Sequence, residues 1–153
     1  MKGGDMTSAS EIYDLFMMQV TDYRLSTLFS VSEEDFETFL EAWLIFAYTE
    51  FSHAGIDFTY DPETRSFDKS LTLEEKTIMA TLMAKQWLTK VVNDITQMNL
   101  HIGDRDFKVA SESMNLREKS NYLITVKETC SQLLSDYAYK HNDWDNWFLQ
   151  VFS

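Results

Sequence analysis

The chain has 153 residues, 44% of them hydrophobic and 14% aromatic, which suits one compact domain with a real core and argues against disorder. Its formal net charge of -12 disfavours gripping a phosphate backbone or docking on an anionic membrane. One proline and four glycines favour long helices over a sheet-and-turn fold, and a single cysteine excludes an intrachain disulfide.

Residues 1–7 are expected to be a flexible N-terminus, and the polar stretch Met1–Ser10 does not read as a signal peptide. A first helix is expected to begin near Ser8 or Ser10, with Ile12, Leu15, Phe16, Val20 and Tyr23 at helical spacing. A break follows around Ser26–Ser30. The second helix has a sharp start. Ser32 caps it, Glu33, Glu34 and Asp35 fill the first turn where the helix dipole favours negative charge, and Val31 and Phe36 sit at the two positions of a hydrophobic staple. Its apolar stripe runs Phe36, Phe39, Leu40, Trp43, Leu44, Ala47, Phe51. The longest apolar run, Ala42–Tyr48, is too short to span a bilayer.

Ile56–Tyr60 then alternates apolar and polar residues as a half-buried strand does. Asp61-Pro62-Glu63-Thr64 reads as a turn and Arg65-Ser66-Phe67 as a return strand, giving a small hairpin; an irregular loop with its aromatics tucked inward is the alternative. A third helix opens on the capping box Thr72-Leu73-Glu74-Glu75. Its stripe is Ala80, Met83, Ala84, Trp87, Leu88, Val91, Ile95 and Met98, widened by Ile78, Leu82 and Val92, so it should lie centrally in the core or be shared with another subunit. Asn99–Val109, punctuated by Gly103, is expected to be a loop. A fourth helix should start at Ser111 or Ser113 and run to about His141, with Leu116, Leu123, Val126, Cys130, Leu133, Leu134 and Tyr137 inward. The predicted fold class is therefore all-α: about four helices in a bundle-like domain over residues 8–141, with a possible small β-hairpin between helices two and three.

The chemistry-bearing residues point away from catalysis. Gly3, Gly4, Gly55 and Gly103 are scattered and form no phosphate loop, and one Cys with three separated His builds no common zinc site. His53, His101 and His141 read as loop or helix-end residues, and Cys130 as a buried structural thiol. The Asp104/Asp106 and Asp143/Asp145 pairs lack the spacing of a calcium loop, and Met79, Met83 and Met98 read as core filler. No cofactor, metal or catalytic residue is expected.

Charge and aromatics are unevenly placed. Residues 31–50 carry six acids (Glu33, Glu34, Asp35, Glu37, Glu41, Glu50) and no base. Glu33, Glu34, Glu37 and Glu41 are expected to face solvent or a channel, because the apolar stripe lies on the other side. Residues 142–153 form a short aromatic tail in which Trp144, Trp147, Phe148 and Phe152 are candidates for docking on a partner; packing on the domain's own core is the competing reading.

The stretches Ser66–Ala80, Lys85-Gln86-Trp87-Leu88 and Asp104–Leu116 resemble neck proteins of tailed bacteriophages, and the likeness extends in pattern over roughly residues 30–140. The resemblance is to head–tail connectors, or adaptors. It implies a helical virion protein, made in the host cytoplasm, that forms a homo-oligomeric and commonly dodecameric ring beneath the portal protein. Such a ring meets a tail or stopper protein and extends the DNA channel without specific DNA binding. The family brings no catalytic motif. An acidic DNA-mimic inhibitor is the alternative reading, with its acids in two rows; a small hydrolase or metal enzyme is the third.

Overall fold

The computed structural model describes residues 6–20, 32–101 and 106–141. Among the described residues four helices and one two-stranded antiparallel hairpin follow one another: α1 (Ala9–Gln19), α2 (Glu33–Ser52), β1 (Tyr60–Asp61), β2 (Ser66–Phe67), α3 (Leu73–His101) and α4 (Asp106–His141). The protein is mainly helical, with the hairpin between the second and third helices.

Each helix start is written locally. At α1 the Ser8 hydroxyl accepts the Ser10 N–H while Glu11 reaches back to the Ser8 N–H, a complete capping box. The helix stops at Gln19, where Val20 turns extended; Tyr23, expected on its stripe, lies outside the described residues together with Ser26–Val31. At α2 the Ser32 hydroxyl accepts the Asp35 N–H, with Glu33, Glu34 and Asp35 in the first turn. Its far end is released by Gly55, whose φ of 85° is unfavourable for any residue with a Cβ.

α3 is the centre of the molecule. Residues 78–84 (Ile78, Met79, Ala80, Thr81, Leu82, Met83 and Ala84) are all buried, a full girdle rather than a stripe, because α1, α2 and α4 each pack against this helix. The one polar member, Thr81, turns its hydroxyl onto the Thr77 carbonyl and accepts the Gln19 side-chain amide. The core face of α2 is Phe36, Leu40, Leu44, Ala47 and Phe51; that of α4 is Leu123, Val126, Cys130 and Tyr137, spaced three, four and seven residues apart. The side chains of Ile95, Met98 and Leu116, expected on these stripes, lie outside the described residues.

The two antiparallel long helices are joined at one end by Glu75. Its backbone N–H donates to the Thr72 hydroxyl and its carboxylate accepts the Thr72 N–H, closing the expected capping box. The other carboxylate oxygen accepts the Tyr137 hydroxyl of α4 at 2.7 Å, inside the protein. Burial, and next this bond, push the Tyr137 hydroxyl well above the usual phenol range. Beside it Lys140 and His141 both reach Glu74, and the Lys140 ammonium holds the Glu74 carboxyl below the ordinary carboxylate range. Lys140 also sits where the α4 dipole favours positive charge.

Three expectations are corrected. The stretch Asn99–Val109 is not a loop: α3 continues to His101 and α4 begins at Asp106, leaving only residues 102–105 between them, outside the described set. Helix four therefore starts earlier than Ser111, on an acid that the helix N-terminus favours. Thr7 is not frayed. It is buried, its N–H donates to the Lys69 carbonyl, its carbonyl accepts the Phe67 N–H, and its hydroxyl accepts the Leu71 N–H. Ser8 also forms an antiparallel bridge with Ser66, so this segment lies alongside β2. Finally, the hairpin pairs only Tyr60 with Phe67 and Asp61 with Ser66, and Arg65 belongs to the turn rather than to the return strand. Ile56–Thr59 nonetheless alternates half-buried and buried apolar residues with exposed polar ones, as its pattern predicts.

Substitution at the Glu75 junction should separate a local cap from a helix-to-helix tie. Thr72→Ala is expected to cost about 1 kcal/mol, a cap alone. Glu75→Ala should cost about 3 kcal/mol, because it strands the Tyr137 hydroxyl and the Thr72 N–H together. Urea denaturation of the two variants measures both values, and equal losses would show that the Tyr137 bond contributes nothing.

Candidate functional site

The second helix carries the candidate surface, and it has three sides. One is the core face already described. A second meets the hairpin. Arg65 stands at the turn with φ 51°, a left-handed conformation that is costly for a side chain with a Cβ. Its guanidinium donates to Glu37 at 3.1 Å and to the Thr38 hydroxyl at 3.2 Å, and lies 3.8 Å from Glu41. Tyr60, from β1, donates its hydroxyl to Glu41 at 2.6 Å. Burial first, and then this carboxylate, push the Tyr60 hydroxyl far above the usual phenol range. Ser8, Ala9, Ser10, Tyr13, Glu37, Thr64 and Arg65 line an open pocket of about 240 Å³ beside this cluster. The Tyr13 hydroxyl is buried with no hydrogen-bond partner among the described residues, and burial, followed by the nearby Glu41, disfavours its ionisation.

The four acids expected on one outward row therefore separate. Glu33 and Glu34 are exposed at the helix start. Glu37 and Glu41 are half-buried and bound to the hairpin, Glu41 with only 17% of its side chain exposed. Periodicity placed them off the apolar stripe, and did not reveal that a cation 28 residues later would meet them. Glu50, farther along, pairs with Lys85 of α3.

On the third side the stripe puts Phe39 and Trp43 in the core, but Phe39 is exposed and Trp43 is only half-buried against that core. Phe39 is 39% exposed and Phe46 60% exposed, and with Ala42 and the half-buried Trp43 they occupy positions three and four apart on one flank of α2. Phe39 and Trp43 pack edge to face at 6.0 Å. The Trp43 indole N–H is buried without a hydrogen-bond partner among the described residues. Ile45, at 42%, adds apolar surface elsewhere on the helix. The expected stripe thus splits: Phe36, Leu40, Leu44, Ala47 and Phe51 are buried, Trp43 is half-buried, and Phe39 looks outward, beside Phe46, which the stripe did not include.

The remaining candidates fall as follows. Cys130 is buried, its thiol directed at the Thr81 carbonyl, and burial pushes its pKa up to about 11. His53 caps the end of α2, His101 ends α3, and His141 stacks on Tyr137 at 4.1 Å. Met79 and Met83 are core residues. Asp104, Asp143, Asp145 and the aromatic set Trp144, Trp147, Phe148 and Phe152 lie outside the described residues. Among the described residues no group of three or more His, Cys, Asp or Glu is placed to hold a metal ion, and no helix is long and apolar enough to cross a membrane. Neither a family model, nor a curated protein, nor a solved structure matches the chain.

Two measurements test this geometry. Arg65→Gly should be more stable than Arg65→Ala by about 1 kcal/mol, since both lose the guanidinium but only glycine relieves the left-handed backbone; equal melting temperatures would contradict the strained turn. The Cys130 thiol should stay unreactive toward a chromogenic disulfide reagent at pH 8 in the folded protein and react fully in denaturant. Rapid labelling of the native protein would contradict its placement.

Proposed function

We propose that this chain is a virion structural protein, a head–tail connector that forms a ring between portal and tail and extends the DNA channel. The observation that carries the reading is α2, which presents apolar side chains on two sides at once. One side builds the core; the other leaves Phe39 and Phe46 uncovered. A subunit of an assembly needs such a second apolar side, and an isolated domain gains nothing from it. The helical fold agrees with the family resembled over residues 30–140, and the exposed acids at the start of α2 suit a wall that lets DNA pass without holding it. The role proposed is architectural rather than catalytic, with the portal and a tail or stopper protein as partners, in the virion neck. The DNA-mimic reading is less well served, because Glu37, Glu41 and Glu50 are engaged by Arg65, Tyr60 and Lys85 and do not form a free row.

Native mass measurement and negative-stain imaging of the purified chain test the proposal: closed rings are expected, and a monomer at all concentrations, even with portal protein present, would overturn it. A companion variant addresses the channel wall. Replacing Glu33 and Glu34 with lysine should cost less than about 2 kcal/mol in stability, the loss of two favourable dipole contacts. It should also create retention on duplex DNA that fades steeply with salt. Tight DNA binding by the unmodified protein would contradict a non-gripping wall.

A further inference from the structure

We infer that the exposed flank of α2 is a socket for the aromatic segment 142–153 of a second copy of this chain. The inference rests on the ring reading and names the surfaces that would join one subunit to the next. The socket is Phe39, Ala42, Trp43 and Phe46, spaced to line one side of the helix over two turns. Its apolar surface is uncovered, and it holds a buried indole N–H on Trp43 that has no acceptor among the described residues. An incoming chain brings aromatic surface to cover Phe39 and Phe46.

The plug is identified by composition and by where the described chain stops. Residues 142–153 carry Trp144, Trp147, Phe148 and Phe152, side chains of the type that dominate protein contacts. α4 ends at His141, which stacks on Tyr137, which in turn packs on Phe51 at the end of α2 at 4.8 Å. The segment therefore departs from the C-terminal end of the same helix that carries the socket. Twelve residues reach at most about 40 Å, whereas the socket spans Phe39 to Phe46, about 10 Å of helix. The reach is sufficient for the socket of a copy seated alongside.

One chain that carries both a plug and a different, complementary socket makes head-to-tail contacts. Such heterologous contacts close into a ring when the rotation between neighbours closes. A self-complementary patch would instead stop at a dimer.

The experiment uses the full chain in two variants. The socket variant is Phe39→Ser with Phe46→Asp, both at exposed positions. The plug variant is Trp144→Ser with Trp147→Ser. Native mass measurement of the unmodified protein should show the ring, and each variant alone should fall to one subunit with its helix content and melting temperature unchanged. An equimolar mixture should give a one-to-one heterodimer and nothing larger, because one intact plug meets one intact socket and the chain of contacts then ends. If the socket variant melts early, Phe46→Gln replaces it. A ring that persists in the socket variant would overturn this inference and leave the connector reading standing. A mixture of folded variants that stays monomeric overturns it as well. An unmodified protein that is monomeric, and whose plug variant melts far earlier, would place the aromatic segment on its own domain and overturn both.

Discussion

Everything in this structure is arranged around a helix that has no wet side between Ile78 and Ala84. An α-helix buried all round needs covering on three sides, and α1, α2 and α4 supply one side each. The short α1, only 11 residues, would be marginal alone; it persists because it lies against α3 and is capped at Ser8. The same constraint explains why polar groups near α3 are paired locally. Thr81 turns back on its own helix, and Glu75 satisfies two donors from within the protein.

The second helix shows the complementary case. It contributes five residues to the core and still carries apolar residues to spare. Its hairpin side is polar but not free, because Arg65 and Tyr60 consume the carboxylates of Glu37 and Glu41. A left-handed arginine at a turn is tolerated here because the guanidinium lands between two acids and a hydroxyl, offsetting the backbone cost. The hairpin is thereby fixed to α2 through its turn as well as through the aromatic chain Phe51–Phe58–Phe67–Tyr60.

What could be read in advance was local. Ser32 and Thr72 with Glu75 each depend on residues within a few positions, and both helices start where they place them; the alternation of Ile56–Tyr60 gives the right burial pattern, although the strand itself is only Tyr60–Asp61. What could not be read was long-range. Helical spacing put Phe39 on the inward stripe with Phe36 and Leu40, but whether a position that far round the helix is covered depends on a neighbour's placement. Glu41 looked like a surface acid because its partners, Tyr60 and Arg65, lie 19 and 24 residues away. Thr7 looked like fraying chain because the carbonyl and amides that hold it come from residues 67–71. The loop expected at Asn99–Val109 rested on Gly103 and on polar residues, and polar composition by itself does not stop a helix.

The placement of Thr7 also bears on the order in which the chain can acquire structure. Its hydrogen-bond partners lie sixty or more residues downstream, so during synthesis Thr7 must wait, unpaired, until residue 71 has left the ribosome. Closing so long a loop costs entropy that local turns avoid, which makes this strand alignment a late event compared with the capping of α1 three residues away. Pulse-labelling hydrogen exchange should find the Phe67 and Ala9 amides, which bond to Thr7 and Arg65, protected later than those inside α3. The beginning of this chain is among the last parts of it to find its place.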